Sequence, residues 1–405
     1  MSCHSPRIRS LNAKNFMDID KHLISKDKPT FTSQLLIYAF NKISSSSGKA
    51  PGPDGISIDS HPEWIWGRKL SKTASSIREL VSPTKLTDSN ESNKPAKSKP
   101  KPYAPGPTRP ARIPKLSGGF REIQISNTVD RVVNRACLEA LNPFVDKNFL
   151  DWNYGFRPKR SHNQILEEIA KSYKEGFKYA CHYDIIKAFD HVPIRPLLQL
   201  IRGLEIKPVI KLLAETLIVR NKPEKFLGLS QGEALSGLLF NLYVHSFHDI
   251  QVNQLLPNEA KIFRYADDLC VIGTSKDAVE LVVNKSNELL KECGFNCEVN
   301  PVANMDENNI SLLGLTMAGD GHSIRFTLSD SSWSQLRESL DEAHNHPDPV
   351  NLSRLIVSGW KNASKPVIWS SEETNRLDSL LEELGFITTT NRSSIQSRTL
   401  PAGTE

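Results

Sequence analysis

Two acidic segments of the sequence carry residues that could bind metal ions. Asp267 and Asp268 are adjacent in FRYADDLCVIG, and Asp184 ends an apolar stretch in ACHYDIIKAFDHV. Two carboxylates about 4 Å apart repel by about 4 kcal/mol at an effective dielectric of 20, so a pair held at a bend favours a bound cation. Mg²⁺ accepts carboxylate and phosphate oxygens together. Three converging carboxylates could hold two Mg²⁺ ions, the arrangement that serves nucleotidyl transfer.

Strand patterns surround these residues. Residues 179–185 read as a strand, and residues 261–263 and 269–272 read as two short strands that form a hairpin with the carboxylates at its bend. The alternation of strand and helix patterns from about residue 111 to 327 predicts a mixed α/β body. The order of the elements places all three acidic residues on one small sheet.

Helix patterns connect these strands. Ser161 and Gln164 match a capping box that begins a helix with an apolar residue at every fourth position. Further helices are predicted from the apolar spacing over residues 31–43, from Leu235 to Ser246, from Thr274 or Asp277 to Gly294, and in two or three segments after Phe326.

Composition gives weaker information. The 405 residues are 38% hydrophobic, enough for a sizeable core. The net charge of +5 suits a polyanionic partner without deciding for one. Six scattered cysteines indicate reduced thiols, and the absence of a long apolar run predicts a cytoplasmic protein with no membrane contact. Residues 82–110, rich in Ser, Lys and Pro, predict a mobile basic loop, either a solvated linker or a nucleic-acid contact.

An Asp-Asp pair alone would more often be a surface turn, but further motifs follow one another in a fixed order. These are GKAPGPDGIS, RIPKLSGGFREIQISNTVDRVV, YGFRPKRSHNQILEEI, HYDIIKAFDHV, LSQGEALSGLLFNLYV, RYADDLCVIG and SLLGL. From about residue 48 to 315 the chain therefore resembles the reverse transcriptases of bacterial retroelements, especially the group II intron lineage.

The resemblance implies a right-hand polymerase in the α/β (α+β) class. Its parts would be an N-terminal helical extension (1–47), fingers that include the basic loop (48–180), a palm of antiparallel sheet and helices (181–325), a short helical thumb (326–387) and a disordered tail (388–405). Asp184, Asp267 and Asp268 would be the catalytic metal ligands, joined by the backbone carbonyl of Ile185.

The resemblance also implies residues that bind the nucleotide. Lys115 and Arg121 flank a Ser-Gly-Gly turn and would converge on a triphosphate, although alone they would read as an exposed basic hairpin. Phe189 occupies the position of the family's steric gate against a ribose 2′-hydroxyl; as a lone aromatic it would more often belong to the core. Gln231 and Gly232 resemble the pair beneath the nascent base pair.

Other residues are expected near the nucleic acid. Tyr265 would support the primer terminus, with an ordinary hairpin tyrosine as the alternative. Arg157, Lys159 and Arg160 precede a helix start and could contact phosphate, and the equal alternative is a structural loop in which Arg157 pairs with a carboxylate. We expect scaffold roles for Asp130, Arg131, His182, His191 and His245.

The sequence departs from the family pattern at three places. The second palm motif has Ser230 where Pro is usual and Gly237 where a second Pro is usual, which predicts a looser loop beneath the incoming nucleotide. The stretch EVNPVANMDENN lacks the lysine that the family usually offers as a proton donor to pyrophosphate. Turnover by another donor, or slow turnover, would follow.

The expected function is RNA-directed DNA polymerisation with an RNA template, dNTPs and two Mg²⁺, yielding cDNA. Because only about 90 residues follow SLLGL, with no sign of maturase, HNH nuclease or retron motifs, the chain resembles the defence-associated reverse transcriptases. These copy a noncoding RNA, in one type repeatedly by rolling around it. The alternatives are a degenerate intron-encoded reverse transcriptase and an RNA-binding scaffold that does not polymerise.

Overall fold

The computed structural model describes residues 32–45, 49–81, 100–114, 120–220, 226–363 and 371–386. The helices of these residues are α1 (Ser33–Ser44), α2 (Glu63–Arg78), α3 (Thr128–Val145), α4 (His162–Lys174), α5 (Ile194–Gly203), α6 (Pro208–Val219), α7 (Ala234–Val244), α8 (Ile250–Leu255), α9 (Lys276–Glu292), α10 (Asp330–Ala343), α11 (Pro349–Ala363) and α12 (Ser371–Glu383). A π-helical segment, His245–Asp249, joins α7 to α8. None of the described helices is long and apolar enough to cross a membrane.

The strands form three antiparallel sheets. They are β1 (Thr108–Pro114), β2 (Phe120–Ser126), β3 (Tyr179–Ile185), β4 (Ala260–Tyr265), β5 (Asp268–Gly273), β6 (Cys297–Val299), β7 (Ala303–Asn304), β8 (Ile310–Leu312), β9 (Leu315–Gly319) and β10 (Ile324–Leu328). β1 pairs with β2, and β8, β9 and β10 form a second sheet. The central sheet has the order β4-β5-β3-β6, and β7 also pairs with β3. The predicted mixed α/β class is confirmed.

The central sheet separates two cores because successive side chains of a strand point to opposite faces. On one face, Cys181, Tyr183 and Ile185 of β3 join the larger core, built mainly with α3, α5, α6, α7 and α9. On the other face, Ala180 and the buried residues Cys270 and Ile272 of β5 pack with α4, the β8–β10 sheet and α10. His182 and Asp184 alternate with the first set and therefore lie on this second face.

Both strands of the β1-β2 hairpin form hydrogen bonds with other parts of the molecule. Gln124 donates its backbone N–H to the carbonyl of Gln231 at 2.9 Å, and Arg109 Nε donates to the carbonyl of Pro51 at 2.8 Å. The Thr128 hydroxyl, at the start of α3, donates to the carbonyl of Ile56 at 2.6 Å. Residues 51–56, part of the GKAPGPDGIS motif, thus lie against β1 and the beginning of α3. The predicted turn at residues 117–119 lies outside the described residues.

Most predicted elements are confirmed, with local corrections. The capping box at Ser161 begins α4, β3 has the predicted bounds, and three helices follow Phe326. The N-cap of α9 is Ser275, whose hydroxyl accepts from the Ala278 N–H, and not Thr274. Residues 108–110 of the expected basic loop belong to β1, because they pair with residues 124–126. Residues 82–99 and the predicted tail lie outside the described residues.

Candidate active site

The three acidic residues of the sequence converge at one end of the central sheet. Asp184 lies directly opposite Asp268 in the register of β3 and β5, and Asp267 occupies the turn between β4 and β5. One carboxylate oxygen from each residue lies within 4.8 Å of the others. Among the described residues, no other group of three His, Cys, Asp or Glu side chains is placed to hold a metal ion.

Burial and mutual repulsion define the electrostatics of this cluster. Burial, together with repulsion from Asp267 and Asp268, raises the pKa of Asp184 to about 7, and His182 has a smaller opposing effect. Burial and Asp268 also raise the pKa of Asp267, whereas Arg121 and Arg264 oppose this increase. Arg121 of the β1-β2 hairpin is therefore close enough to act on the cluster. Such concentrated negative charge is reduced either by protonation or by a bound cation.

The turn that carries Asp267 is held in a strained conformation. Ala266 has φ of +58°, a region that residues with a side chain rarely adopt. Arg264 Nη1 donates to the carbonyl of Ala266 at 3.1 Å, which fixes this turn from below. Gly155 passes so close that a Cβ there would lie 2.1 Å from the Ala266 nitrogen, and the Gly155 carbonyl accepts from Asn241 Nδ2 at 2.6 Å. The turn is thus clamped on both sides.

Gly155→Ala tests this clamp. The added methyl group must displace either the Gly155 backbone or the Ala266 turn, so we expect a loss of about 1–3 kcal/mol in the free energy of unfolding and weaker metal binding. Gly359→Ala is the matched control, because a Cβ at this exposed site in α11 meets nothing within 4 Å and should stabilise the helix by up to about 1 kcal/mol. Urea denaturation compares the two variants; equal stability would show that the turn can move freely.

Comparison with known proteins identifies the family. Residues 113–317, half of the chain and including all three carboxylates, match the family model described as "Reverse transcriptase (RNA-dependent DNA polymerase)". The chain belongs to the reverse transcriptase family. The predicted polymerase fold class is confirmed at this level.

The chain is similar to several curated proteins, most of which are named as intron proteins. It is 23% identical over 256 residues to the putative COX1/OXI3 intron 2 protein of Saccharomyces cerevisiae, covering 58% of this chain and 27% of that protein. It is 28% identical over 176 residues to Protein YkfC of Escherichia coli, covering 40% and 45%. It is 29% identical over 150 residues to the group II intron-encoded protein LtrA of Lactococcus lactis, covering 35% and 25%. The chain thus spans less than half the length of these relatives.

Two solved structures are similar at a lower level. The structure of telomerase from Candida albicans in complex with a TWJ fragment of telomeric RNA shares 14% identity with a TM-score of 0.42, covering 69% of this chain and 59% of that chain. Apo telomerase from Candida tropicalis, truncated from its C-terminal domain, shares 17% identity with a TM-score of 0.39, covering 54% and 55%.

Two hydrogen bonds hold the loop before α7. The hydroxyl of Ser236 donates to the carbonyl of Ser230 at 2.7 Å, and the Gln231 carbonyl accepts from Gln124 of β2. Gly232 has φ of +99°, and a Cβ there would lie 3.1 Å from the Gln124 carbonyl oxygen. Neither contact comes from the side chain of Ser230 or Gly237, so the looser loop expected from these two positions stays a prediction.

The position of Gly237 explains the second departure from the family motif. Gly237 lies inside α7, where a Cβ would collide with the Phe156 ring at 2.5 Å. The Phe156 ring makes an edge contact with Phe189. The Phe189 ring also stacks on Phe240, with 5.1 Å between the ring centroids. Phe189 is half-buried against the larger core. Its roles as gate and as core residue therefore remain compatible, and the gate stays a prediction.

The three basic residues before α4 have different surroundings. The Arg157 guanidinium is buried and donates to Asp146 Oδ1 at 2.7 Å and to the carbonyls of Asp146, Leu150 and Asn153. These bonds support the structural alternative for Arg157 and count against its predicted phosphate contact. Arg160 pairs at 2.7 Å with the exposed Asp151, and Lys159 is exposed. Lys159 and Arg160 remain available to a polyanion, since exposed pairs are weak.

The structure places Tyr265 and His182 near the carboxylates. Tyr265 is half-buried beside the cluster, with an edge contact to His162 at 6.0 Å. His182, expected to be scaffold, instead lies in the site: its Nε2 is 3.0 Å from Asp268 Oδ1. The i, i+2 spacing of His182 and Asp184 on a strand is the sequence signal for this neighbourhood. Lys115 lies outside the described residues.

Arg220 is a further residue that the sequence did not indicate. Its buried guanidinium contacts Glu233, the Ser126 hydroxyl and, at 3.7 Å, Asp130. Asp130 also accepts from the Tyr103 hydroxyl at 2.6 Å, which agrees with its expected structural role. This cluster joins the end of β2 to the loop that carries Gln231. Arg220 directly follows the apolar helix α6 and belongs to none of the motifs, so no local sequence pattern indicated its role.

The residues present fit divalent cations. The cluster offers only oxygen ligands, its carboxylates repel each other, and its partial exposure leaves access for a polyphosphate. Asp184, Asp267 and Asp268 are the side chains that would hold the ions.

Proposed function

We propose that this protein is an RNA-directed DNA polymerase that makes cDNA. The observation that carries the proposal is the convergence of Asp184, Asp267 and Asp268 within 4.8 Å at a clamped hairpin turn, inside the segment that matches the reverse transcriptase family. A scaffold without catalysis would have no need of three mutually repelling carboxylates. The proposed parts of the enzyme keep the bounds given above for the extension, fingers, palm, thumb and tail.

The ligands of two Mg²⁺ would be the three carboxylates and the backbone carbonyl of Ile185. When bound, the ions would lower the barrier to attack by a primer 3′-hydroxyl and neutralise the triphosphate. Arg121, whose charge reaches Asp267, would bind the triphosphate together with Lys115. Gln231 and Gly232 would lie beneath the nascent base pair and Tyr265 beside the primer terminus. Lys159 and Arg160 would contact phosphates of the nucleic acid.

The direct test is synthesis of DNA on RNA. Full-length protein, purified with the RNA that accompanies it, is supplied with dNTPs and Mg²⁺, and the products are sequenced. We expect DNA complementary to the bound RNA, sensitive to prior treatment with ribonuclease. DNA made without any template, or no DNA on either bound or added RNA, would contradict the proposal.

The gate at Phe189 makes a separate prediction. Phe189→Ala should lower the preference for dNTPs over rNTPs by about 10- to 100-fold, because the ring would no longer exclude a 2′-hydroxyl. The ratio of kcat/KM values for the two nucleotides measures this effect and is insensitive to a general loss of activity. Phe156→Ala is the control, since it removes a neighbouring ring that does not occupy the gate position. The centroids of the Phe156 and Phe189 rings are 5.8 Å apart. An unchanged ratio in Phe189→Ala would assign this ring to the core.

We propose that the template is a dedicated structured noncoding RNA and that the product serves antiphage defence. This rests on the resemblance to the defence-associated reverse transcriptases that the sequence analysis describes. Phage challenge of cells that express the wild type or Asp267→Asn tests it: protection should need the carboxylate. Protection that survives the substitution would favour a scaffold.

The named relatives support a second candidate, a reverse transcriptase derived from a group II intron. Several of the relatives are described as intron proteins, and one as group II intron-encoded. If this candidate is right, the bound RNA should contain intron domains. Sequencing the RNA that copurifies with the protein separates the two candidates.

A further inference from the structure

A continuous chain of polar side chains runs beneath the carboxylate hairpin, on the face of the central sheet opposite Asp184. Each of its five members is fully buried, with 0% relative exposure. The members come from two strands of the sheet, from α9 and from the π-helical segment. This polar chain consists of Tyr183, Ser286, His248, Asp249 and Arg264.

Every link in the polar chain is a hydrogen bond. The Tyr183 and Ser286 hydroxyls are 2.7 Å apart, and Ser286 Oγ lies 2.7 Å from His248 Nε2. His248 Nδ1 lies 2.8 Å from Asp249 Oδ1. Arg264 donates to both oxygens of Asp249, with Nε at 3.2 Å from Oδ1. The polar chain therefore spans the underside of the sheet from β3 to β4.

The chemistry of the links fixes most of their directions. A carboxylate only accepts, so His248 Nδ1 carries a proton and donates to Asp249. The Ser286 hydroxyl stands between the Tyr183 hydroxyl and His248 Nε2 and links them. Burial alone would raise the pKa of Asp249, but Arg264 and His248 hold it at about 2, so Asp249 stays charged. Every member has a partner, as a buried network requires.

Each end of the polar chain is joined to a backbone segment that carries a carboxylate of the candidate metal site. Tyr183 directly precedes Asp184 on β3, and fixing its side chain below the sheet fixes the backbone that points Asp184 upward. Arg264 Nη1 holds the carbonyl of Ala266, the residue before Asp267. The π-helical segment widens the helix where His248 and Asp249 enter, a feature that often marks functional positions.

We propose that the polar chain is a positioning device that sets the separation of Asp184 from the Asp267–Asp268 pair and so tunes the affinity of the site for divalent cations. This inference rests on the proposed function. Its residues do not touch the metal or the substrate; they act through Asp184 and Asp267. An apolar layer of equal volume would stabilise the fold at least as well, so the contribution of the polar links is a defined geometry.

Two hydroxyl deletions test the proposal in the full-length protein. Ser286→Ala breaks the polar chain in its middle, and Tyr183→Phe removes its β3 end while keeping the ring. Tyr243→Phe is the matched control: its buried hydroxyl donates to the Cys293 carbonyl at 2.9 Å, beside the end of α9 but outside the polar chain. Binding of Mn²⁺ is titrated by electron paramagnetic resonance without nucleic acid, and melting temperatures are measured without metal.

We expect the half-saturating Mn²⁺ concentration to rise about 3- to 10-fold in Ser286→Ala and in Tyr183→Phe, and to stay within about twofold in the control. The double variant should bind Mn²⁺ no more weakly than Ser286→Ala alone, because both changes interrupt the same polar chain. Unchanged Mn²⁺ affinity in both single variants, with melting temperatures lowered as in Tyr243→Phe, would overturn the proposal and leave a merely structural network.

The Mn²⁺ measurement also separates this inference from the proposed function. A wild-type protein that binds Mn²⁺ through its carboxylates but makes no cDNA would overturn the polymerase proposal, and the test of the polar chain would still stand. If the wild type had no Mn²⁺ site that Asp267→Asn removes, the polar chain could have no such role. Where cDNA is made, kcat should fall in both variants while the KM for dNTPs stays unchanged.

Discussion

Asp184→Asn is expected to reduce the rate of cDNA synthesis by at least about a thousandfold. A carboxylate that binds two cations contributes several kcal/mol of charge stabilisation in the transition state, and about 4 kcal/mol corresponds to a thousandfold change in rate. Asn keeps the size of the side chain and one oxygen but removes the charge. Because Asp184 lies opposite Asp268 in the sheet register, the remaining two carboxylates cannot take over its position.

The same substitution should stabilise the protein when no metal is present. Burial and the two neighbouring carboxylates raise the pKa of Asp184 from 3.8 to about 7, so between these pH values the folded protein binds more protons than the unfolded chain. The free energy of unfolding of the metal-free wild type should therefore fall as pH rises from about 4 to about 7. Allowing for screening by solvent, Asp184→Asn should gain on the order of 1 kcal/mol at pH 8.

Thermal melts with and without Mg²⁺ check both effects beside the activity assay. Added Mg²⁺ should raise the melting temperature of the wild type and leave that of Asp184→Asn unchanged. Asp190→Asn is the control, since Asp190 is exposed, lies on the same motif and is outside the cluster. Full activity in Asp184→Asn, or a lower metal-free stability than the wild type, would show that the carboxylates do not form a repelling metal site.

Local patterns were sufficient to predict the elements that carry the carboxylates. β3 has the bounds that its apolar pattern indicates, and the hairpin of β4 and β5 places Asp267 in the turn as predicted. The convergence of Asp184 on this hairpin needed the fixed order of the motifs, since pairing of β3 with β5 joins segments more than 80 residues apart. The strand periodicity also places His182 on the same face as Asp184. We nevertheless expected a scaffold role for His182, because no metal-ligand spacing surrounds it.

The supporting structure could not be predicted because it depends on pairs that are distant in sequence. Nothing local to Ser286 or His248 indicates that they meet beneath β3, and Arg220, at the end of α6, contacts Glu233, at the start of α7. Family comparison alone suggested that Ser230 and Gly237 loosen their loop. The structure adds two contacts that the motif does not indicate: Gly237 makes room for Phe156, and the Ser236 hydroxyl donates to the Ser230 carbonyl.

Removal of the buried Arg264 side chain should have the largest effect on stability. Arg264→Met leaves Asp249 charged in a fully buried position and frees the carbonyl of Ala266 and the amide oxygen of Asn241, which accepts from Arg264 at 2.9 Å. Breaking one partner of a buried ion pair costs about 3–5 kcal/mol, because the other charge stays desolvated. We expect a loss of this size in the free energy of unfolding, measured by urea denaturation.

A double variant separates the cost of an unpaired charge from the worth of the pair. Asp249→Leu with Arg264→Met removes both charges, so it should recover more than half of the loss in stability, while metal binding stays impaired because the Ala266 carbonyl has lost its donor. Arg202→Met is the exposed control. Arg202 forms a bidentate ion pair with Glu215 at 2.8 and 3.0 Å, yet its loss should lower the free energy of unfolding by less than about 1 kcal/mol. If the double variant were as unstable as Arg264→Met alone, the loss would come from packing beneath the hairpin and not from the stranded Asp249 charge.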